Sequence, residues 1–158
     1  MVVKHYNLES AEFMLPVQDL APGIFTTSQD GNGQGAILQT AKGNNLQISF
    51  NSKDNPVEKG AAIIVYATGA GLWNQDVLAG QILLSPAGPL PIIPKAAISL
   101  TIGGVPAFIL YAGGAPAMAS VIQVNALVPA NAGSGDQILE LKVGDVTNAQ
   151  QRVTVAVQ

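Results

Sequence analysis

The chain has 158 residues, with 7 Lys and Arg, 10 Asp and Glu, one His and no Cys. Only 11% of it is charged and 48% is hydrophobic, against about 25% charged in an ordinary soluble domain. The missing cysteine excludes disulfide frameworks, thiol catalysis, iron–sulfur clusters and cysteine zinc sites; the single His excludes most metal-hydrolase constellations; and a formal net charge of −3 lacks the clustered cations of a nucleic-acid footprint.

The length suits one domain, and its apolar content argues against disorder. The N-terminal run MVVKHYNLESAEFM has no hydrophobic core of the signal-peptide kind. The expectation is therefore a cytoplasmic protein or a piece of a longer exported chain. The longest apolar stretch, Ala61–Trp73, is shorter than the roughly 18–20 residues of a spanning helix, so no membrane insertion is expected.

Gly and Pro recur so often that few gaps would hold a helix of average length. The segments between them are rich in Ile, Val, Leu, Thr and Phe, which favour strands. In chain order the predicted strands are Phe13–Val17, Ile24–Thr27, Ala36–Gln39, Leu46–Phe50, Ala62–Thr68, Ala97–Ile102, Val105–Tyr111, Val121–Ala126, Gln137–Val143 and Gln151–Val157. Period two is clearest in Ile98, Leu100 and Ile102, in Leu139, Leu141 and Val143, and in Val153, Val155 and Val157. Each set is the buried face of a strand. Ile102-Gly103-Gly104-Val105 reads as a two-residue hairpin, since two glycines supply the positive φ of a primed turn. Val143-Gly144-Asp145-Val146 fits a second, with glycine in the first turn position of type II′. The region Trp73–Lys95 holds Pro86, Pro89, Pro91 and Pro94, so it reads as a long crossover and not a central strand, with a short helix allowed at Gln75–Leu78. Ten short strands at this spacing predict an all-β, antiparallel sandwich or barrel.

Chemistry-bearing residues are few. Asp30, Asn32 and Gln34 resemble the start of a calcium loop, but the twelfth position, which should hold a bidentate Glu, is Ala41; a Gly-rich turn is the stronger reading. Neither Gly31–Gly35 nor Thr68–Gly71 is followed by Gly-Lys-Ser/Thr or by a predicted helix, so a phosphate cradle is not expected. His5 lies in a polar tail with no companion to hold it for catalysis. The carboxylates sit in turns and on polar faces, so no enzyme and no cofactor is expected. Trp73, with Asn74, Gln75 and Asp76, is the candidate ligand site, because a ring can stack on an apolar face while amides and a carboxylate orient it; the competing reading is a ring that plugs the end of the sandwich. Gln123 and Asn125, on an apolar strand, read as structural amides bonded to backbone.

Taken together, several motifs form an ordered series: Ala21–Thr26 (APGIFT), Gly33–Ile37 (GQGAI), Asn55–Gly60 (NPVEKG), Val65–Gly71 (VYATGAG), Leu100–Ala107 (LTIGGVPA), Leu110–Pro116 (LYAGGAP), Gln123–Pro129 (QVNALVP) and Val153–Val157 (VTVAV). The series resembles the Solibacter-type uncharacterised C-terminal domain family, which recurs at the ends of large exported acidobacterial proteins. The likeness covers about Pro16 to Val157. It departs from the family pattern in Gln39–Phe50 and in Ala117, which stands where the family has Gly. The resemblance implies an Ig-like β-sandwich over residues 13–158, entered from an upstream module through a tail at 1–12. It also implies an extracellular or cell-surface setting, as a non-catalytic module for adhesion, docking or display. Its partners would be neighbouring domains of the same chain, a surface protein or a polysaccharide. A carbohydrate-binding module using Trp73 is the alternative.

Overall fold

The computed structural model describes residues 1–78, 80–83 and 92–158; Pro86, Pro89 and Pro91 of the expected crossover lie outside them. The protein is all-β. Its strands are β1 (Lys4–His5), β2 (Leu8–Glu9), β3 (Gly23–Ile24), β4 (Gly33–Gln34), β5 (Leu38–Ala41), β6 (Asn44–Phe50), β7 (Ala62–Thr68) and β8 (Ile82–Leu83). They continue with β9 (Ile98–Ile102), β10 (Val105–Pro106), β11 (Phe108–Gly114), β12 (Met118–Ala119), β13 (Ile122–Leu127), β14 (Gly135–Val143), β15 (Val146–Thr147) and β16 (Val153–Val157).

Two six-stranded sheets form the sandwich. The first runs β10-β9-β14-β16-β4, with β15 on β14; the second runs β11-β13-β7-β5-β6, with β3 on β7. All pairs are antiparallel except β16 with β4. The core is what the period-two segments predict. Leu100, Ile102, Leu139, Leu141, Val143, Val153, Val155 and Val157 from the first sheet share one buried cluster with Ile63, Val65, Ala67, Ile122, Val124 and Ala126 from the second. Each fully buried aliphatic side chain contributes about 1.5–3 kcal/mol relative to exposure.

Both expected hairpins form. Val105 pairs with Ile102 across Gly103 and Gly104, whose φ values of 58° and 78° are both positive, as a type I′ turn requires. Val146 pairs with Val143. There only Gly144 of the two turn residues has positive φ, at 57°, as in type II′.

The N-terminal expectation fails. Phe13–Val17 is not a strand, and Phe13, Met14, Leu15 and Val17 are exposed. β-propensity alone makes no strand without a neighbour to complete the ladder. Ahead of it, β1 and β2 form a small exposed hairpin where a polar tail was expected. The chain joins the sandwich later, where Leu20 packs on the core and Ala21 N–H donates to Gly69 O at 3.0 Å. Gly69 has φ 76°, and a Cβ there would sit 1.8 Å from Ala21 O, so this junction requires glycine. The short helix at Gln75–Leu78 also does not form.

A buried side-chain amide ties the sheets together. Asn51, 2% exposed, follows β6 in the second sheet. Its Nδ2 donates to Ala156 O at 2.8 Å and its Oδ1 accepts from Ala156 N at 2.9 Å, so the amide pairs with β16 of the first sheet as a strand residue would. Nδ2 also donates to Gln39 Oε1 on β5 at 2.7 Å, and Oδ1 accepts from Gln34 Nε2 on β4 at 2.9 Å. Replacing Asn51 by Ala strands several buried donors and acceptors. At about 1–3 kcal/mol for each group left unsatisfied, with partial relaxation, the expected loss is about 3 kcal/mol. Urea unfolding should show it as a lower midpoint at unchanged slope.

Candidate functional site

The residues singled out in the sequence are placed separately. Trp73 is half-buried, packs against the core and bridges to Pro94. Asn74 is tied to the same segment: its N–H donates to Ile93 O at 2.8 Å and its Oδ1 accepts from Ile93 N at 3.1 Å. Gln75 and Asp76 are exposed. The ring and the amide fasten this segment to the Ile93–Pro94 stretch.

Asp30, Asn32 and Gln34 are each committed to bonds of their own. Asp30 Oδ1 accepts from Ser28 Oγ at 2.6 Å and from Asn32 N at 2.8 Å. Asn32 Oδ1 accepts from Arg152 N at 3.1 Å, and Gln34 Nε2 serves Asn51. No cluster of three His, Cys, Asp or Glu side chains able to hold a metal occurs among the described residues. His5 stands in the exposed hairpin with its ring edge-on to Tyr6 at 4.6 Å.

The described hollows do not pair carboxylates. Asp19 is the one acid in the hollow of about 350 Å³ beside Leu72 and Lys95, and Glu58 is the one acid in the hollow of about 180 Å³ beside Gln47 and Ser49. Two hollows of about 270 and 390 Å³ flank Gln151 and hold none. Gln151 itself clamps β3, its Oε1 accepting from Ile24 N at 2.7 Å and its Nε2 donating to Ile24 O at 3.0 Å.

A different surface stands out once the register is known. β3, β5, β6, β7, β11 and β13 contain no Asp, Glu, Lys, Arg or His, so the second sheet is uncharged on every strand. Alternation turns Ile63, Val65, Ala67, Ile122, Val124 and Ala126 inward, which leaves their neighbours outward. The register then lines up Phe50, Leu38, Ile64, Asn125 and Tyr111 in one row across five strands. Leu127 and Phe108 lie opposite each other in a second row, and Tyr66 and Gln123 in a third. Phe50 is 73% exposed and Phe108 70%, and Ile48, Leu110 and Phe25 are exposed as well.

At the centre Gln123 Nε2 donates to Asn125 Oδ1 at 2.9 Å. These amides therefore face outward and bond to each other, where sequence reasoning had them fastening backbone. Tyr111 O–H donates to Gly114 O at 2.9 Å, and burial pushes its pKa up, so the phenol stays neutral. The first sheet presents the opposite character, with Glu140 and Lys142 opposite Thr101 and Ser99 and Thr154 alongside Ile138. The uncharged composition of the six segments is readable in the sequence; their union into one face is not.

Comparison with protein-family models, with curated proteins and with solved structures finds no match to this chain.

The loop around Asp30 offers a direct check of its internal bonding. Ser28 Oγ and, after it, Asn32 N–H hold the Asp30 carboxylate below its ordinary pKa of 3.8. A lowered folded-state pKa means that ionisation favours the fold, fully above the ordinary value, and that this is lost as pH falls through the folded pKa. A carbon-detected NMR titration should place Asp30 below 3.8, and Ser28→Ala should move it back up.

Proposed function

We propose that this chain is a non-catalytic β-sandwich module of a larger exported bacterial protein, and that it fastens that protein to an uncharged surface through the outer face of its second sheet. The observation that carries the reading is the face itself: Phe50, Ile48, Phe25, Leu110 and Phe108 exposed around Tyr66, Tyr111 and the Gln123–Asn125 pair, with no Asp, Glu, Lys, Arg or His on any strand beneath. Exposed apolar surface of this extent marks an interaction site in a soluble protein. The absence of charge selects a neutral partner, since a charged one would lose hydration without gaining a counter-charge. The ordered motif series supports the exported, C-terminal setting, and docking on a neighbouring module or a surface protein follows from both.

A neutral polysaccharide is the second reading, favoured by the amide pair between tyrosines. Rings stack on the apolar faces of sugars while amides satisfy hydroxyls in both directions. The earlier alternative placed this role at Trp73, whose ring is half-buried against the core; the outer face offers more exposed aromatic surface.

Affinity electrophoresis through neutral polysaccharides, and retention of the tagged module on cells of an exporting bacterium, test the two readings side by side. Phe50→Ser with Phe108→Ser should weaken binding at least tenfold, as expected for loss of two exposed aromatic anchors, with little change in unfolding temperature. Raising salt about tenfold should leave binding intact, because no ion pair is there to be screened. Binding that survives the double variant, or that collapses with salt, would overturn the assignment to this face.

A further inference from the structure

One row of the second sheet's outer face gathers its rings and amides. Gln123 lies opposite Tyr66 on one side and Gly113 on the other. Beyond Tyr66 the row reaches Phe25, the residue after β3, whose N–H donates to Tyr66 O at 3.1 Å. Ile24 and Ala67, paired one position along, are both buried, so alternation turns Phe25 and Tyr66 outward. Gly113 brings a third ring into the row. A Cβ there would sit 2.5 Å from Tyr111 Oη and 2.8 Å from its Cζ. The Tyr111 side chain therefore lies along β11 over Gly113, and its O–H reaches on to Gly114 O. The position requires glycine, because any side chain would push the ring off the strand. Tyr111 thus starts opposite Asn125 and ends in the row of Gln123.

Four neighbouring strand positions then present ring, ring, amide and ring: Phe25, Tyr66, Gln123 and Tyr111. The amide is already oriented. Gln123 Nε2 donates to Asn125 Oδ1 at 2.9 Å, which fixes both side chains and turns Gln123 Oε1 into the acceptor and Asn125 Nδ2 into the donor of the pair.

Given an outer face that docks on a neutral surface, the reading on which this rests, we propose that the row is a track for a linear, neutral, β-1,4-linked polysaccharide. The chain runs across the strands from Phe25 to Tyr111, one sugar to a strand. The spacing selects this occupant. Neighbouring strands are about 4.7–4.9 Å apart, close to the advance per sugar in an extended β-1,4 chain. Sugars so linked carry mostly equatorial hydroxyls. Their ring faces are left apolar, to stack on Phe25, Tyr66 and Tyr111, and the hydroxyls at their edges meet Gln123 and Asn125. An α-1,4 chain curls and does not follow a straight row. The charge agrees as well: none of the five residues is charged, and a neutral sugar leaves no ion without a partner. The row covers three strand steps, about 14 Å, which is room for roughly four sugars at one per strand. Past Phe25 the surface opens into the hollow of about 390 Å³ that Phe25 shares with Thr68 and Gln29, so a longer chain has space to continue.

Calorimetric titration of the full 158-residue chain with soluble β-1,4-linked oligomers of glucose, mannose and N-acetylglucosamine, and with maltohexaose as the α-1,4 control, tests it. At least one β-1,4 series should bind, with affinity rising from two sugars to about four and gaining little beyond, and maltohexaose should not bind. Phe25→Ala and Gln123→Leu should each weaken the six-sugar oligomer about three- to tenfold. Ile138→Thr, at an exposed position of the first sheet, should leave it unchanged, with thermal unfolding showing that all three variants fold. Binding of maltohexaose as tight as that of the β-1,4 oligomers, or binding that neither row variant weakens, overturns the track. So does silence of every β-1,4 oligomer at about 5 mM. If the module is still retained on cells in that case, the docking face stands and its partner is a protein; if retention fails too, both readings fall.

Discussion

A buried amide, that of Asn51, helps register the two sheets against each other. Apolar contact holds sheets together without fixing their offset, because it has no direction. Asn51 supplies the direction. It leaves the second sheet at the end of β6 and pairs through both side-chain atoms with Ala156 of the first, and the chain beyond it continues the crossing, with Val57 N–H donating to Ala156 O at 2.9 Å. Gln39 depends on this arrangement. Its position opposite Ile63 turns it inward, where an amide without a partner would be costly, and Asn51 provides the partner at 2.7 Å.

The outer faces then divide the work. Each sheet contributes aliphatic residues to one core, and nothing in the core distinguishes them. Outside, β14 carries Asp136, Glu140 and Lys142, which keep the first sheet solvated. The second sheet has no counterpart. Such a face in water carries a continuing cost unless something covers it or adsorbs to it.

Much of the architecture was legible from the residues. Period two in Leu139–Val143 and Val153–Val157 marked the buried side of each strand, and Gly103-Gly104 announced its turn, because these are local properties of backbone and side-chain direction. Phe13–Val17 shows the limit of such reasoning. It has strand-forming residues but no neighbour, and propensity without a ladder partner is too weak to order it. Gln123 and Asn125 show another limit. Their spacing placed them on one face of a strand but could not say which face looked into the core. Asn51, buried and bonded through both side-chain atoms, carries no sequence signal that separates it from other asparagines in turns.

By itself, then, the sequence determined that this protein would be all-β, poor in charge and without a thiol, since composition and periodicity act residue by residue along the chain. Only the tertiary structure decided that Phe50, Ile64, Asn125 and Tyr111 share a row, that Trp73 packs against the core, and that β6 ends the strand order of the second sheet. Those are facts of strand order and register, set by pairings between segments far apart in the chain, and the physical reason they escape a linear reading is that a strand's neighbour, not its own sequence, determines what its outer face becomes.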